Sequence, residues 1–407
     1  MGIGTSAGIG VGARKKVVLP LICLGLVLFQ TAAKAAVWKS EKQWSVETEN
    51  EYSKWVTENW KADIFVDQKS LLYQIATDCA DASYDMRALF AYTHKLPFRA
   101  GAFTNEMREF DHIRNEDQRF REFIVKMNSQ VSTGTLARDT YPIEISRKSF
   151  RPGIIYLSLK PTNHSLQIVA LSATGVPTIL DSTEPSEIRK LQERQMFPPY
   201  VAQSVQEGFR AFKWPEHYAQ PVEKIPGYSL QQFEIQRRLT SMDLYFAEYQ
   251  SLVAQRPETR DERAQRFLKI ICNETRYRIE VVDGALEFLR DRQSKNQCLT
   301  RSEYEGYSSP SRDRKMAFVF QTGYNMFIDD LTRSQLRGET LRKLTSIFSD
   351  TGPQSDWCPL RTKSNLRLSL WDVWLNVLNR RLASDPHVNE MQRWGFEPYV
   401  QVCPKFD

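Results

Sequence analysis

Residues 77–90 read Thr-Asp-Cys-Ala-Asp-Ala-Ser-Tyr-Asp-Met-Arg-Ala-Leu-Phe, and the fold turns on where the helix containing them begins. Leu71, Leu72, Ile75, Cys79, Ala82, Met86, Leu89 and Phe90 recur at three- and four-residue spacing. That is the period of an amphipathic helix, here over 67–96. Lys95-Leu96-Pro97 closes it, because proline cannot continue a helix and a basic last turn suits its dipole. Thr77 and Asp78 are both capping residue types, so a helix starting at Cys79 also fits. The positive end of the helix dipole would then face a sulfur, a setting that stabilises thiolates. The plainer alternative is a small packed residue inside one longer helix.

Downstream the period changes from helix to strand. Tyr141–Ile145 alternates, Gly153–Leu159 is a buried-strand run, and His164–Leu171 is another. Ala173-Thr174-Gly175 turns the last of these into Thr178–Asp181, a hairpin pattern. A long helix followed by an antiparallel meander makes an α+β domain over residues 65–185. Before it, residues 36–64 form a helical lead-in. After it, prolines and aromatics over 186–229 read as an irregular connector. Residues 230–407 read as a mainly α-helical domain, with helices over Phe233–Gln255, Thr259–Arg278, Val281–Arg292, Arg314–Leu331, Ser334–Phe348 and Leu366–Leu382.

Residues 1–35 carry the order of a secretory signal peptide. Arg14, Lys15 and Lys16 precede an apolar run, Val17–Phe29, and Ala33-Lys34-Ala35 supplies small residues for cleavage. The run is too short to cross a bilayer, which needs about 20 residues. Loss of these residues removes four positive charges and takes the net charge from +6 to +2. The basic balance therefore belongs to the export signal, and no basic block with interleaved aromatics suggests nucleic acid. The expected product is exported, periplasmic or secreted, with no membrane span after signal cleavage; no oligomeric state follows.

An oxidising compartment makes cysteine parity informative. The mature chain keeps Cys79, Cys272, Cys298, Cys358 and Cys403. The last four allow three connectivities, of which neighbour pairing, Cys272–Cys298 and Cys358–Cys403, is the simplest. Cys79 is the odd one and the candidate nucleophile. His164 opens an apolar strand, where a side chain is fixed yet can face a cleft, and is the candidate base. Asp181 ends the next strand, about 5 Å from its cross-strand neighbour, and could orient the imidazole; Asn163 is a reserve. His94 and His112 are weaker bases, one in a last helical turn and one in a charged stretch. No metal-ligand spacing, phosphate loop or Gly-x-Ser-x-Gly elbow occurs, so no metal or cofactor is expected. Tyr307–Asp313 reads as a solvated turn, and the tryptophans at 357, 371, 374 and 394 as packing residues.

Asp-Cys-Ala-Asp at 78–81, the Leu96-Pro97 close, Pro152-Gly153-Ile154-Ile155-Tyr156 and the His164-led strand together resemble the NlpC-like branch of the papain-like cysteine peptidases. They resemble bacterial transglutaminase-like proteinases more loosely. The resemblance covers residues 67–185. It implies a Cys79 nucleophile, a His164 base, a third polar orienter, an oxyanion hole largely of backbone N–H groups near Cys79, and a cell-wall peptide or protein substrate. Asp81 stands where that branch usually has glycine, and Pro152-Gly153-Ile154 lacks its usual acidic residue. The expectation is an exported cysteine hydrolase cleaving amide bonds, with peptidoglycan stem peptide the substrate at hand. Its alternatives are acyl transfer to an amine on the same dyad and a non-catalytic periplasmic binding protein.

Overall fold

In the computed structural model, which describes residues 36–159, 163–196, 202, 204–239, 242–293, 297–333, 336, 338–349 and 356–406, the chain is arranged around one helix that its neighbours cover on all sides. The export signal read over residues 1–35 lies outside the described residues. Helix α1 is Val46–Asn59, started by a Ser45–Thr48 capping box. The central helix, α2, is Cys79–Thr93, and every residue from Cys79 to Tyr92 is buried.

The sequence period suggested helix from residue 67, and the structure corrects this. Residues 67–76 form successive hydrogen-bonded turns, and Gln74 takes a left-handed φ of 60° that no helix accommodates. Asp78 then caps α2. Its carboxylate accepts the N–H groups of Ala80 and Asp81 at 2.8 and 3.0 Å, while Asp81 Oδ2 accepts the Asp78 N–H at 3.0 Å. This reciprocal capping satisfies amides that a helix start leaves orphaned. The helix stops at His94, and Lys95 turns the chain with φ 54°.

A two-stranded ribbon follows (β1 Arg99–Ala100, β2 Phe103–Thr104), and then α3 (Glu116–Asn128) and α4 (Thr133–Asp139). The main sheet is built from β3 (Thr140–Pro142), β4 (Ile155–Ser158), β5 (His164–Leu171), β6 (Pro177–Asp181), β7 (Gln192–Gln195) and β8 (Gly208–Phe212). Its spatial order is β3-β8-β4-β5-β6-β7, every neighbouring pair antiparallel. The β5–β6 hairpin is present as the turn residues implied. Residues read as an irregular connector instead supply β7 and β8, and β8 sits between β3 and β4.

Strand alternation divides the sheet between two cores. Ile155, Leu157, Val169 and Leu180 face the aromatic-rich core around α2. Tyr156, Leu166, Ile168, Ile179 and Phe209 face the other side, where Tyr245, Phe246 and Tyr249 of a later helix close over them. That helix, α6 (Met242–Val253), follows α5 (Gln231–Arg238); the two occupy a stretch whose period suggested one helix. Next comes α7, Arg260–Gln293, a single 34-residue helix where two were expected. It is followed by α8 (Arg301–Tyr307), α9 (Pro310–Arg333), α10 (Gly338–Phe348), a β9–β10 ribbon (Leu360–Arg361, Arg367–Leu368), α11 (Leu370–Leu378) and α12 (Glu390–Arg393). Helices α7 and α9 approach closely at Gly323, where an added Cβ would lie 2.0 Å from the Phe267 ring. No helix among the described residues is long and apolar enough to cross a membrane.

The disulfides correct the neighbour pairing: Cys272 bonds to Cys358 and Cys298 to Cys403. The physical reason is the unbroken α7. Cys272 lies in its first half and Cys298 beyond its end, and at 1.5 Å per residue that separates them by about 30 Å or more. Cys79 is free and buried. Non-reducing peptide mapping should find the 272–358 and 298–403 crosslinks. Loops of 86 and 105 residues make each bridge worth about 4–5 kcal/mol in the chain-entropy picture. Cys272→Ala with Cys358→Ala should therefore lower the unfolding midpoint sharply, and an unchanged midpoint would remove this bridge from the stability of the helical half.

Candidate active site around Cys79

Cys79 is the first residue of α2 and is 5% exposed. Its carbonyl oxygen is held from three sides. The Ser165 hydroxyl donates to it at 2.6 Å, the Ser83 hydroxyl at 3.0 Å, and the Gln167 amide reaches it at 3.5 Å. Gln167 also donates to Ser83 at 2.9 Å, and the two hydroxyls are 2.9 Å apart. All three side chains are fully buried. Buried polar groups are costly unless paired, so this cluster ties the start of α2 to the start of β5. Sequence reasoning overlooked it; Ser165 and Gln167, alternating inside an apolar strand, were the available signal.

His164 Nε2 lies 2.9 Å from Asp181 Oδ2, so the expected base and orienter meet. The β5–β6 register sets His164 on a diagonal to Asp181. Asp181 is 3% exposed. Burial alone would push its carboxyl up, yet the Arg194 charge and the His164 hydrogen bond hold it below the usual carboxylate range. Arg194 Nη2 donates to the same Oδ2 at 2.7 Å. A charged carboxylate on Nε2 fixes the proton there and leaves Nδ1 as the acceptor in the neutral ring.

Cys79 meets β5 through Ser165, the residue after His164. Alternation places Ser165 and Gln167 toward α2, and His164 with Leu166 toward Asp181. No hydrogen bond joins Cys79 Sγ to the imidazole among the described residues. The thiol is pushed up to about 12, by burial first and then by the Asp78 charge, with the Ser165 amide pulling the other way. The helix start therefore does not give the stabilised thiolate that its dipole suggested, because the sulfur is buried and the capping carboxylate sits beside it. Asp78 also claims the Ala80 and Asp81 amides, so these two are not free to bind an oxyanion.

The other candidates have structural positions. His94 Nδ1 contacts the Phe90 carbonyl oxygen at 3.0 Å and its ring stacks on Phe90. His112 is 3.1 Å from the Glu109 carbonyl oxygen at the surface. Asn163 is exposed. Asp313, read as part of a solvated turn, instead pairs with buried Arg278 at 2.7 Å. No group of three or more His, Cys, Asp or Glu side chains among the described residues is placed to hold a metal ion. Comparison of the chain with protein-family models, with curated proteins and with solved structures finds no match.

A second carboxylate responds to the same burial. Asp81 is pushed up to about 7 from an ordinary 3.8, by burial first and then by the Asp78 charge. A raised acid favours folding while protonated, so its contribution is full below about pH 4 and is lost as pH rises through 7. Asp81→Asn keeps an acceptor for the Asp78 amide. Urea unfolding should find the variant more stable than the parent above pH 7 by on the order of 2 kcal/mol, with no gain below pH 4. Parallel stability curves would show that the Asp81 charge is not strained.

Proposed function

We propose that this chain is a cysteine amidase in which Cys79 is the nucleophile, His164 the base and Asp181 its orienter. The observation that carries the proposal is the 2.9 Å contact of His164 Nε2 with a buried, charged Asp181. It leaves Nδ1 to accept a proton one residue from the contact between Ser165 and Cys79. Catalytic hydrogen bonds are commonly long in the free enzyme and tighten with substrate. In the reaction, the Cys79 thiol proton passes to His164 Nδ1 as sulfur attacks the amide carbon. His164 then returns the proton to the departing amine, leaving a thioester. Water, deprotonated by the same imidazole, releases the carboxylate and restores the thiol. A second amine in place of water would make the reaction acyl transfer.

The two disulfides belong with an oxidising compartment, where peptidoglycan stem peptide is the abundant amide. This supports a cell-wall substrate and a papain-like relationship by association of place and motif. Burial of the thiol favours a second reading, a binding protein in which Cys79 is only packed. Iodoacetamide labelling of the non-reduced protein from mildly acidic to mildly basic pH, followed by peptide mapping, separates the two. Cys79 should be alkylated slowly, since its thiol gives up its proton only to His164, and His164→Ala should slow the reaction further by about tenfold or more. Hydrolysis of purified muropeptides should be lost in Cys79→Ser. A Cys79 inert to the reagent would replace the amidase with the binding protein.

A further inference from the structure

The helical half of the chain enters the proposed site through charge. Asp181 Oδ2 accepts from both His164 Nε2 and Arg194 Nη2, at 2.9 and 2.7 Å, while its buried Oδ1 has no hydrogen-bond partner. Arg194 lies on β7, where the register pairs it with Ile179, on a diagonal to Asp181. Its Nη1 is 3.6 Å from Glu274 Oε1 on α7, and Glu274 in turn is held by Lys315 Nζ of α9 at 2.5 Å. Side-chain exposures are 3% for Asp181, 7% for Arg194, 6% for Glu274 and 16% for Lys315. The charges alternate along this line, from the imidazole through the sheet edge into two helices. We infer that Glu274 is a positioning residue for the Cys79 site: by opposing Arg194 from the helical side, it fixes how strongly Asp181 holds the His164 ring and its proton.

The inference rests on the amidase reading for its purpose but not for its physics. Asp181 and Arg194 balance one another, as do Glu274 and Lys315, so an imidazolium forms beside a network already close to neutral. Removing the Glu274 charge takes one counter-charge away from Arg194 and Lys315 beside Asp181. The surplus positive charge disfavours a protonated His164, and Arg194 is drawn further onto the shared oxygen. Removing the Lys315 charge does the reverse. The other charged groups around this point are Asp78 at the start of α2, Glu184 and Arg189 in the loop after β6, and Arg312 of α9. Arg312 Nη2 donates to the Thr183 hydroxyl at 2.7 Å, and Arg189 pairs with Glu187 at 2.9 Å. Glu184 acts on the Cys79 thiol. Each is unchanged in the two variants, which isolates the network.

The test is the pH titration of the His164 ring proton and carbon resonances in the full mature chain, with Glu274→Gln and Lys315→Gln beside the parent. Glu274→Gln should move the His164 midpoint toward acid, as loss of a negative charge beside an imidazolium's partners does. Lys315→Gln should move it the other way. The acid limb of Cys79 alkylation should follow each shift. Packing damage does not produce opposite displacements from two neutralising substitutions in one network, so this pair of signs is the mark of charge positioning. Should Glu274→Gln fail to fold, Lys315→Gln, at the more exposed end, carries the test through its own alkaline shift. Unmoved midpoints in folded variants overturn the inference. The ring titrates whether or not Cys79 reacts, so unmoved midpoints and an unlabelled Cys79 are separate results.

Discussion

The hydroxyl of Ser165, 2.6 Å from the carbonyl oxygen of Cys79, joins the first residue of α2 to the second residue of β5, and much of the molecule is arranged to make that contact dry. With Ser83 and Gln167 it forms a buried polar knot between a helix start and a strand start. A knot of this kind contributes little net energy against water but is costly to break once buried, and it admits only one helix-to-strand register. The two cores on either side of the sheet could be filled by many residue combinations. The position of Cys79 relative to His164 could not, because it depends on these few oriented donors.

That distinction explains what could be read from the sequence. The hairpin of β5 and β6 was legible because its apolar alternation and turn residues leave no competing arrangement. The start of α2 was legible as one of two options, since Asp78 is a strong cap and Leu71, Leu72 and Ile75 also fit a longer helix. Spacing of three and four serves repeated turns as well as helix, and nothing local announces the left-handed Gln74. β7 was illegible for another reason: Gln192, Glu193, Arg194 and Gln195 form a polar edge strand with no hydrophobic period to find. β8 is five residues long and lies beyond a proline cluster that dominated its surroundings. The disulfide error followed from one helix boundary, since pairing Cys272 with Cys298 requires a break that α7 does not have.

The candidate site divides along the same line. Cys79, His164 and Asp181 could be named because chemistry restricts the residue types and because each sits at the end of a recognisable element. Arg194, Glu274 and Lys315 could not, because a charged side chain on an edge strand or a helix face is ordinarily solvated. Only the packing of α7 against β7 turns them into a buried line of alternating charge. Buried ion pairs rarely justify their desolvation by stability alone. The positioning role inferred above gives this one a further use, setting the field in which the His164 proton moves.

A Cys79 pushed up to about 12 keeps its proton at neutral pH, so a preformed thiolate is not what the start of α2 provides. In the proposed reaction the nucleophile is made at the moment of attack, with His164 as the base. The helix dipole, favourable in isolation, is countered by Asp78, whose carboxylate is needed to start α2 where it starts. Burial first, and then the residue that places the sulfur, keep it neutral, and in the proposed reaction activation falls to His164. On the proposed reading, the strength of the base matters more to the chemistry than the acidity of the thiol. In the inference drawn above, that strength is set through Asp181 and Arg194, which share the oxygen that holds the ring.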